Sequence, residues 1–153
     1  LKENRSPKSQ HHKIERIVLQ GITGVDENQR LKMTVLPKDM FCGNSVNYIL
    51  LKDNTLSNKY ILSILNSHLM NWYYKKFSTN SNVNGYEVDS LPIALCGKEL
   101  CNKLETLVDT VLNMKLADTD SDTSNYEKQI NRLVYKLYDL TEEEIAIIEG
   151  SVK

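Results

Sequence analysis

The chain has 153 residues, 41% hydrophobic and 25% charged, with 19 Lys and Arg against 20 Asp and Glu. That length fits one domain, or one domain with a helical appendage, and is too long for a small stapled scaffold. Lys, Asp or Asn interrupts every apolar run short of the roughly eighteen residues a membrane span needs, and the three cysteines, Cys42, Cys96 and Cys101, form neither a CxxC pair nor an even set, which points to a reducing, cytoplasmic setting.

The net charge of −1 hides an asymmetry. Residues 1–90 hold 12 Lys and Arg against 8 Asp and Glu, and residues 91–153 hold 7 against 12. A bound polyanion would therefore meet the first part, while the second faces solvent or a protein partner. The opening stretch LKENRSPKSQHH has no periodicity, so residues 1–12 are expected to be a disordered leader and the chain to be a piece of a longer protein.

From Lys13, short β-branched and aliphatic runs at Lys13 to Gln20 and Leu31 to Leu36 read as two strands joined by the turn-rich GITGVDENQR. Val46 to Lys52 reads as a third strand, covered on both faces. A long helix is expected from Ser57 to Phe77, with Ser57 as N-cap and Ile61, Ile64, Leu65, Leu69, Trp72 and Tyr73 forming a wide apolar stripe. His68 beside that stripe is expected to be a buried, hydrogen-bonded packing residue. Trp72, Tyr73 and Tyr74 are expected to pack, although each could also stack on a base.

After Pro92 the pattern becomes helical. Leu100, Leu104, Leu107, Val108, Val111, Leu112 and Met114 mark one amphipathic helix, and Tyr126, Ile130, Leu133, Val134, Leu137 and Tyr138 mark another, with the acidic ADTDSDTS between them. The expected result is an antiparallel αα-hairpin that projects as a coiled coil. The acidic turn reads as a solvated loop, because a calcium loop beginning at Asp118 would place Thr123 where Gly is needed and Gln129 where Glu is needed. Thr141 and Glu144 form a capping box that starts a short helix ending at Gly150. The expected fold class is α+β: a small twisted sheet with a packed core helix over residues 13–95, then the hairpin and a short terminal helix over 96–153.

No glycine-rich phosphate loop, metalloprotease helix or nucleophile elbow is present. His11 and His12 sit in a polar leader, and no carboxylate pair lies in a setting that would tune a general base. No catalytic or metal-binding residue is expected.

Three segments in order, NSVNYILLKD, then KYILSILNSHLMNWYYKKFS, then GYEVDSLPI, followed at the far end by LVYKLYDLTEEEIAIIEG, carry a family likeness. They resemble the TaqI-like C-terminal specificity domain of type IIG restriction enzymes and related N6-adenine DNA methyltransferases. The layout is also similar to one target-recognition half of a type I specificity subunit. The resemblance implies coverage of nearly all the chain after about Lys13, and a domain that reads double-stranded DNA with trailing helices that hold it against the methyltransferase or nuclease domains of its parent. It also implies that S-adenosylmethionine and magnesium belong to those catalytic domains. Their Asn-Pro-Pro-Tyr type motif is missing from these residues.

Reading base edges takes Arg or Lys for guanine and Asn or Gln for adenine, presented on loops by a rigid scaffold. Two loops qualify. The first supplies Thr23, Asn28, Gln29, Arg30 and Lys32; the second supplies Lys75, Lys76, Ser78, Thr79, Asn80, Ser81, Asn82 and Asn84. The lysines are expected on phosphates, and Arg30, Gln29 and the asparagines on bases. Lys38 and Asn44 are weaker candidates. The rival expectation is a type I-like specificity fragment acting mainly as a scaffold, its helices binding a methyltransferase.

Overall fold

The computed structural model describes residues 8–25, 28–52 and 55–151. Three strands, β1 (Arg16–Gln20), β2 (Met33–Leu36) and β3 (Val46–Ile49), form a sheet in the order β2-β1-β3 with both pairings antiparallel. Ile17 lies opposite both Val35 and Ile49, and Leu19 opposite Met33, so these apolar side chains share one face. That face packs on the first helix, α1 (Asn58–Leu65), whose Tyr60, Ile61, Ile64 and Leu65 are buried.

Strands β2 and β3 both run opposite to β1, so the 37–45 connection must travel the length of the sheet, from the Arg16 end to the Gln20 end. Arg16, 3% exposed, ties this crossover down by donating to the carbonyls of His11, Ile14 and Met40. Lys38 and Asn44 lie exposed on it. β3 is an edge strand with Val46, Tyr48 and Ile49 half-buried and Asn47 exposed, and it stops at Ile49, so it is not a strand covered on both faces as far as Lys52. The leader expectation also needs correcting where it can be examined. Lys8–Lys13 forms a 3-10 helix, and His11 is buried with its Nδ1 2.9 Å from the Tyr48 hydroxyl. Residues 1–7 lie outside the described residues.

The single helix expected from Ser57 to Phe77 is two. Ser57 caps α1 by accepting from the Tyr60 amide, as its position implies, but the helix ends at Leu65 and α2 (His68–Phe77) begins afresh with Ser67 as N-cap. Distant partners make the break. The Asn66 side chain accepts from the Met33 amide at 3.0 Å and donates to the Met33 carbonyl at 2.9 Å, serving β2 as another strand would. Asn131 then accepts from the His68 amide at 2.8 Å, satisfying a donor exposed at the new helix start.

Beyond the short helix α3 (Gly85–Asp89), α4 (Lys98–Ala117) and α5 (Ser124–Leu137) form the expected antiparallel pair. They do not project. α4 lies along α1 as well as α5, burying Leu104 and Val108 between them, and one core runs from Ile17 in the sheet to Ile148 in α6 (Glu142–Gly150). An apolar stripe left in solvent would forgo about 25 cal/mol per Å² of burial, and the exposed flank of α1 offers that burial. Ser57 to Glu105 at 2.6 Å and Lys59 to Asp109 at 2.6 Å edge this contact.

α6 starts at the expected capping box, Thr141 accepting from the Glu144 amide and Glu144 from the Thr141 amide. His68 is half-exposed and faces Glu149 of α6 at 3.2 Å, in place of the buried packing role expected for it. The 92–97 strap is held by tyrosines: Tyr60 donates to the Ala94 carbonyl, and Tyr138 donates to the Pro92 carbonyl while accepting from the Ala94 amide. Cys96 and Cys101 are joined in a disulfide and Cys42 is free.

Candidate nucleic-acid interface

The first candidate loop leaves β1 at Gly21 and returns at β2; the second leaves α2 at Ser78 and ends at α3. They meet. Ile22 and Asn82 form an antiparallel bridge, the Thr23 amide donates to the Ser81 carbonyl at 3.0 Å, and the Val83 amide donates to the Gly21 carbonyl at 2.9 Å. On its other side Gly21 lets the chain entering β3 come close, since a Cβ there would stand 2.8 Å from the Ser45 carbonyl oxygen.

Arg30 sits beneath the junction and is 1% exposed. One terminal nitrogen donates to the Ser78 carbonyl and hydroxyl, both at 3.1 Å. The other donates to the Asn80 carbonyl and, at 3.4 Å, to the Asn82 carbonyl. The guanidinium carbon lies 5.1 Å from the Tyr74 ring centre, an added attraction for a buried cation. Asn71, 3% exposed, fixes the other loop: its Oδ1 accepts from the Arg30 amide at 2.7 Å and its Nδ2 donates to the Asn28 carbonyl at 2.6 Å. Tyr74 donates to the buried Glu87, which also accepts from the backbone and side chain of Asn84. Burial pushes the Tyr74 hydroxyl above its ordinary range. Burial pushes the Glu87 carboxyl up too, but the Asn84 amide and the Tyr74 hydroxyl outweigh it and hold it below the usual value.

This geometry separates the expected DNA-contacting residues into two sets. Arg30, Thr23 and Ser78 are buried, so the expectation that Arg30 reads a base, and that the other two reach DNA, is corrected: their side chains face the protein. Asn84 is half-buried and its amide is spent on Glu87 at the start of α3. Asn28, Gln29, Lys32, Thr79, Asn80, Ser81 and Asn82 are exposed, Gln29 with its amide nitrogen on the Leu31 carbonyl at 3.1 Å. Lys75 and Lys76 occupy the last turn of α2, directly before the loop, with the Lys76 ammonium 4.9 Å from the Trp72 ring centre.

Of the aromatic cluster, Tyr74 is fully buried, Trp72 is half-buried, and Tyr73, 41% exposed, meets Phe77 edge to face. Asn71 and Glu87 were missed as organisers. A signal was available, because both are polar residues at positions that a helix turns inward.

Chemically, the edge offers hydroxyls, carboxamides and ammonium groups that can pair with base edges and phosphates. Among the described residues, no group of three or more His, Cys, Asp or Glu side chains could hold a metal ion, and no helix is long and apolar enough to cross a membrane. No curated protein and no solved structure matches the chain. The TaqI-like C-terminal specificity domain model, however, matches residues 1–93, which takes in the sheet, both loops, the Arg30 clamp and α1 to α3. It stops short of α4 to α6, so the LVYKLYDLTEEEIAIIEG ending lies outside the match. With more than half its length matched, and its outward polar edge inside that part, the chain belongs to the TaqI-like C-terminal specificity domain family, which serves DNA target recognition in restriction-modification enzymes.

Proposed function

We propose that the edge formed by residues 21–25, 28–32 and 75–84 reads the DNA target of a type IIG-like restriction-modification enzyme that methylates adenine at N6, and that methyl transfer and cleavage occur in other domains. The observation that supports this reading is the exposed run Thr79, Asn80, Ser81 and Asn82 on a loop bridged to the first loop at Ile22, with Asn28, Gln29 and Lys32 exposed on that first loop and Lys75 and Lys76 at the end of α2. Carboxamides suit adenine through paired donor and acceptor atoms, and the lysines suit flanking phosphates.

The test is duplex binding by the full chain over a salt series, using a pool of random sequence. Recovery of a preferred sequence is expected. Lys75→Ala with Lys76→Ala should weaken binding to all duplexes alike and flatten the dependence of log K on log salt by about 0.9 per lost phosphate contact. An unchanged slope would remove the lysines from the interface. Methyl transfer or nicking by this chain alone, given a methyl donor or magnesium, would refute the division of labour.

A further inference from the structure

The second loop is held in an unusual way. Between Thr79 and Asn82 its carbonyls at Asn80, Ser81 and Asn82 bond inward while its side chains are exposed. The carbonyls of Ser78, Asn80 and Asn82 accept from Arg30, and that of Ser81 accepts from the Thr23 amide. The Val83 carbonyl accepts from Asn47, which stands on the core face of β3. Against this, Thr79, Asn80, Ser81 and Asn82 are exposed, and none of their side chains takes part in a hydrogen bond among the described residues. None of the four has a positive φ; among described non-glycine residues only Asp39 and Asp139 do. Neither backbone strain nor an internal side-chain contact therefore dictates which residue stands at these positions.

We propose that Arg30 is the positioning residue of a recognition cassette, fixing the loop through Ser78 and the carbonyls of Asn80 and Asn82, so that the side chains of residues 79–82 set the DNA target and can be exchanged without altering the fold. This rests on the reading of the edge as the DNA interface. A buried guanidinium suits the task because its five donors lie in one plane and can address several carbonyls at fixed angles. A lysine keeps the charge, but its donors radiate from a single nitrogen and cannot span acceptors from Ser78 to Asn82. The Tyr74 ring, itself fixed by Glu87, supports the guanidinium plane from α2.

Two sets of full-chain variants test this. In the first, Asn80→Gln, Ser81→Thr and Asn82→Lys are made singly and together. Unfolding midpoints should stay at the wild-type value, while the duplex sequence selected from a random pool shifts at one or more base pairs, with discrimination changed about tenfold or more at each affected pair. In the second, Arg30→Lys should speed amide exchange of Thr23 and Val83, whose N–H groups bond across the junction of the two loops. It should also cut the ratio of preferred to random duplex affinity about tenfold or more, while affinity for random duplex stays near wild type.

Cassette variants that unfold, or that select the wild-type sequence, would overturn the exchangeable loop. Arg30→Lys with wild-type exchange would overturn the positioning role whatever the DNA result. If the wild-type chain selects no duplex at all, the DNA reading itself fails and the specificity role falls with it, and the exchange measurement still decides the positioning role separately.

Discussion

Asn71→Ala isolates the contribution of a buried carboxamide that ties a loop to a helix. In the wild-type chain Asn71 is 3% exposed and its Oδ1 accepts from the Arg30 amide at 2.7 Å, so truncation leaves that N–H without a partner away from water. A buried unsatisfied donor costs about 1–3 kcal/mol. The Leu31 amide, at 3.4 Å from the same oxygen, adds little. Losing the bond to the Asn28 carbonyl costs about 1 kcal/mol net, since Asn28 is exposed and water takes the place of the amide. The sum is about 3 kcal/mol. For a chain of 153 residues this lowers Tm by about 6–12 °C. Thermal unfolding followed by circular dichroism measures it, with Asn82→Ala as the exposed comparison, expected within about 0.5 kcal/mol of wild type. Equal midpoints for the two variants would refute the argument that burial, not residue type, decides what an asparagine does here.

Other perturbations test neighbouring parts. Gly21→Ala places a Cβ 2.8 Å from the Ser45 carbonyl and should cost about 1–3 kcal/mol, with faster exchange of the residue 21 amide, which donates to that carbonyl; a neutral effect would mean that Ser45 does not need the close approach. At acid pH, burial raises the Glu149 carboxyl, but hydrogen bonds from Tyr135 and His68 outweigh it and leave it lowered, as Glu87 also is. A lowered carboxyl adds stability above its unfolded value and loses it as pH falls, so urea midpoints should decline below about pH 4.5, less steeply in Glu149→Gln. At alkaline pH the signs reverse. Burial pushes Tyr60 up to about 12 and raises Tyr74, Tyr135 and Tyr138, so stability holds below about pH 10 and declines above it, less steeply in Tyr135→Phe. Cys96→Ser opens a short ring and should cost at most about 2 kcal/mol by chain entropy, since Tyr60 and Tyr138 still hold the strap; unfolding on reduction would contradict that.

What was legible in the sequence was local. The Ser57 cap, the Thr141–Glu144 box and the aliphatic run that becomes β1 depend on residues within one turn or one strand, and each stands where its pattern implies. The break between α1 and α2 was not legible, because the groups that make it profitable belong to Met33 and Asn131, tens of residues away. The docking of α4 on α1 was hidden for a related reason. Heptad-like spacing in α4 says that a stripe must be covered, and says nothing of which stripe covers it. Arg30 shows the same gap at the interface. A loop arginine reads as a base reader by type, and only the convergence of carbonyls 48 to 52 residues later turns it inward.

These cases share a physical cause that ties the fold to recognition. A small three-stranded sheet offers few main-chain partners, so loops that leave it must find acceptors and donors elsewhere. Asn66, Asn71, Asn131, Arg16 and Arg30 supply them, and all five spend their side chains on backbone groups. Side-chain amides and guanidinium groups therefore do two jobs in one chain: those turned inward replace missing strands, and those of Asn80 and Asn82 turn outward without an internal hydrogen bond among the described residues. Because none of the five inward residues hydrogen-bonds to a side chain of residues 79–82, those outward residues carry little of the fold's stability. A DNA-reading edge needs that independence, since a side chain already committed to the fold could not be pointed at a base without first breaking the structure that aims it.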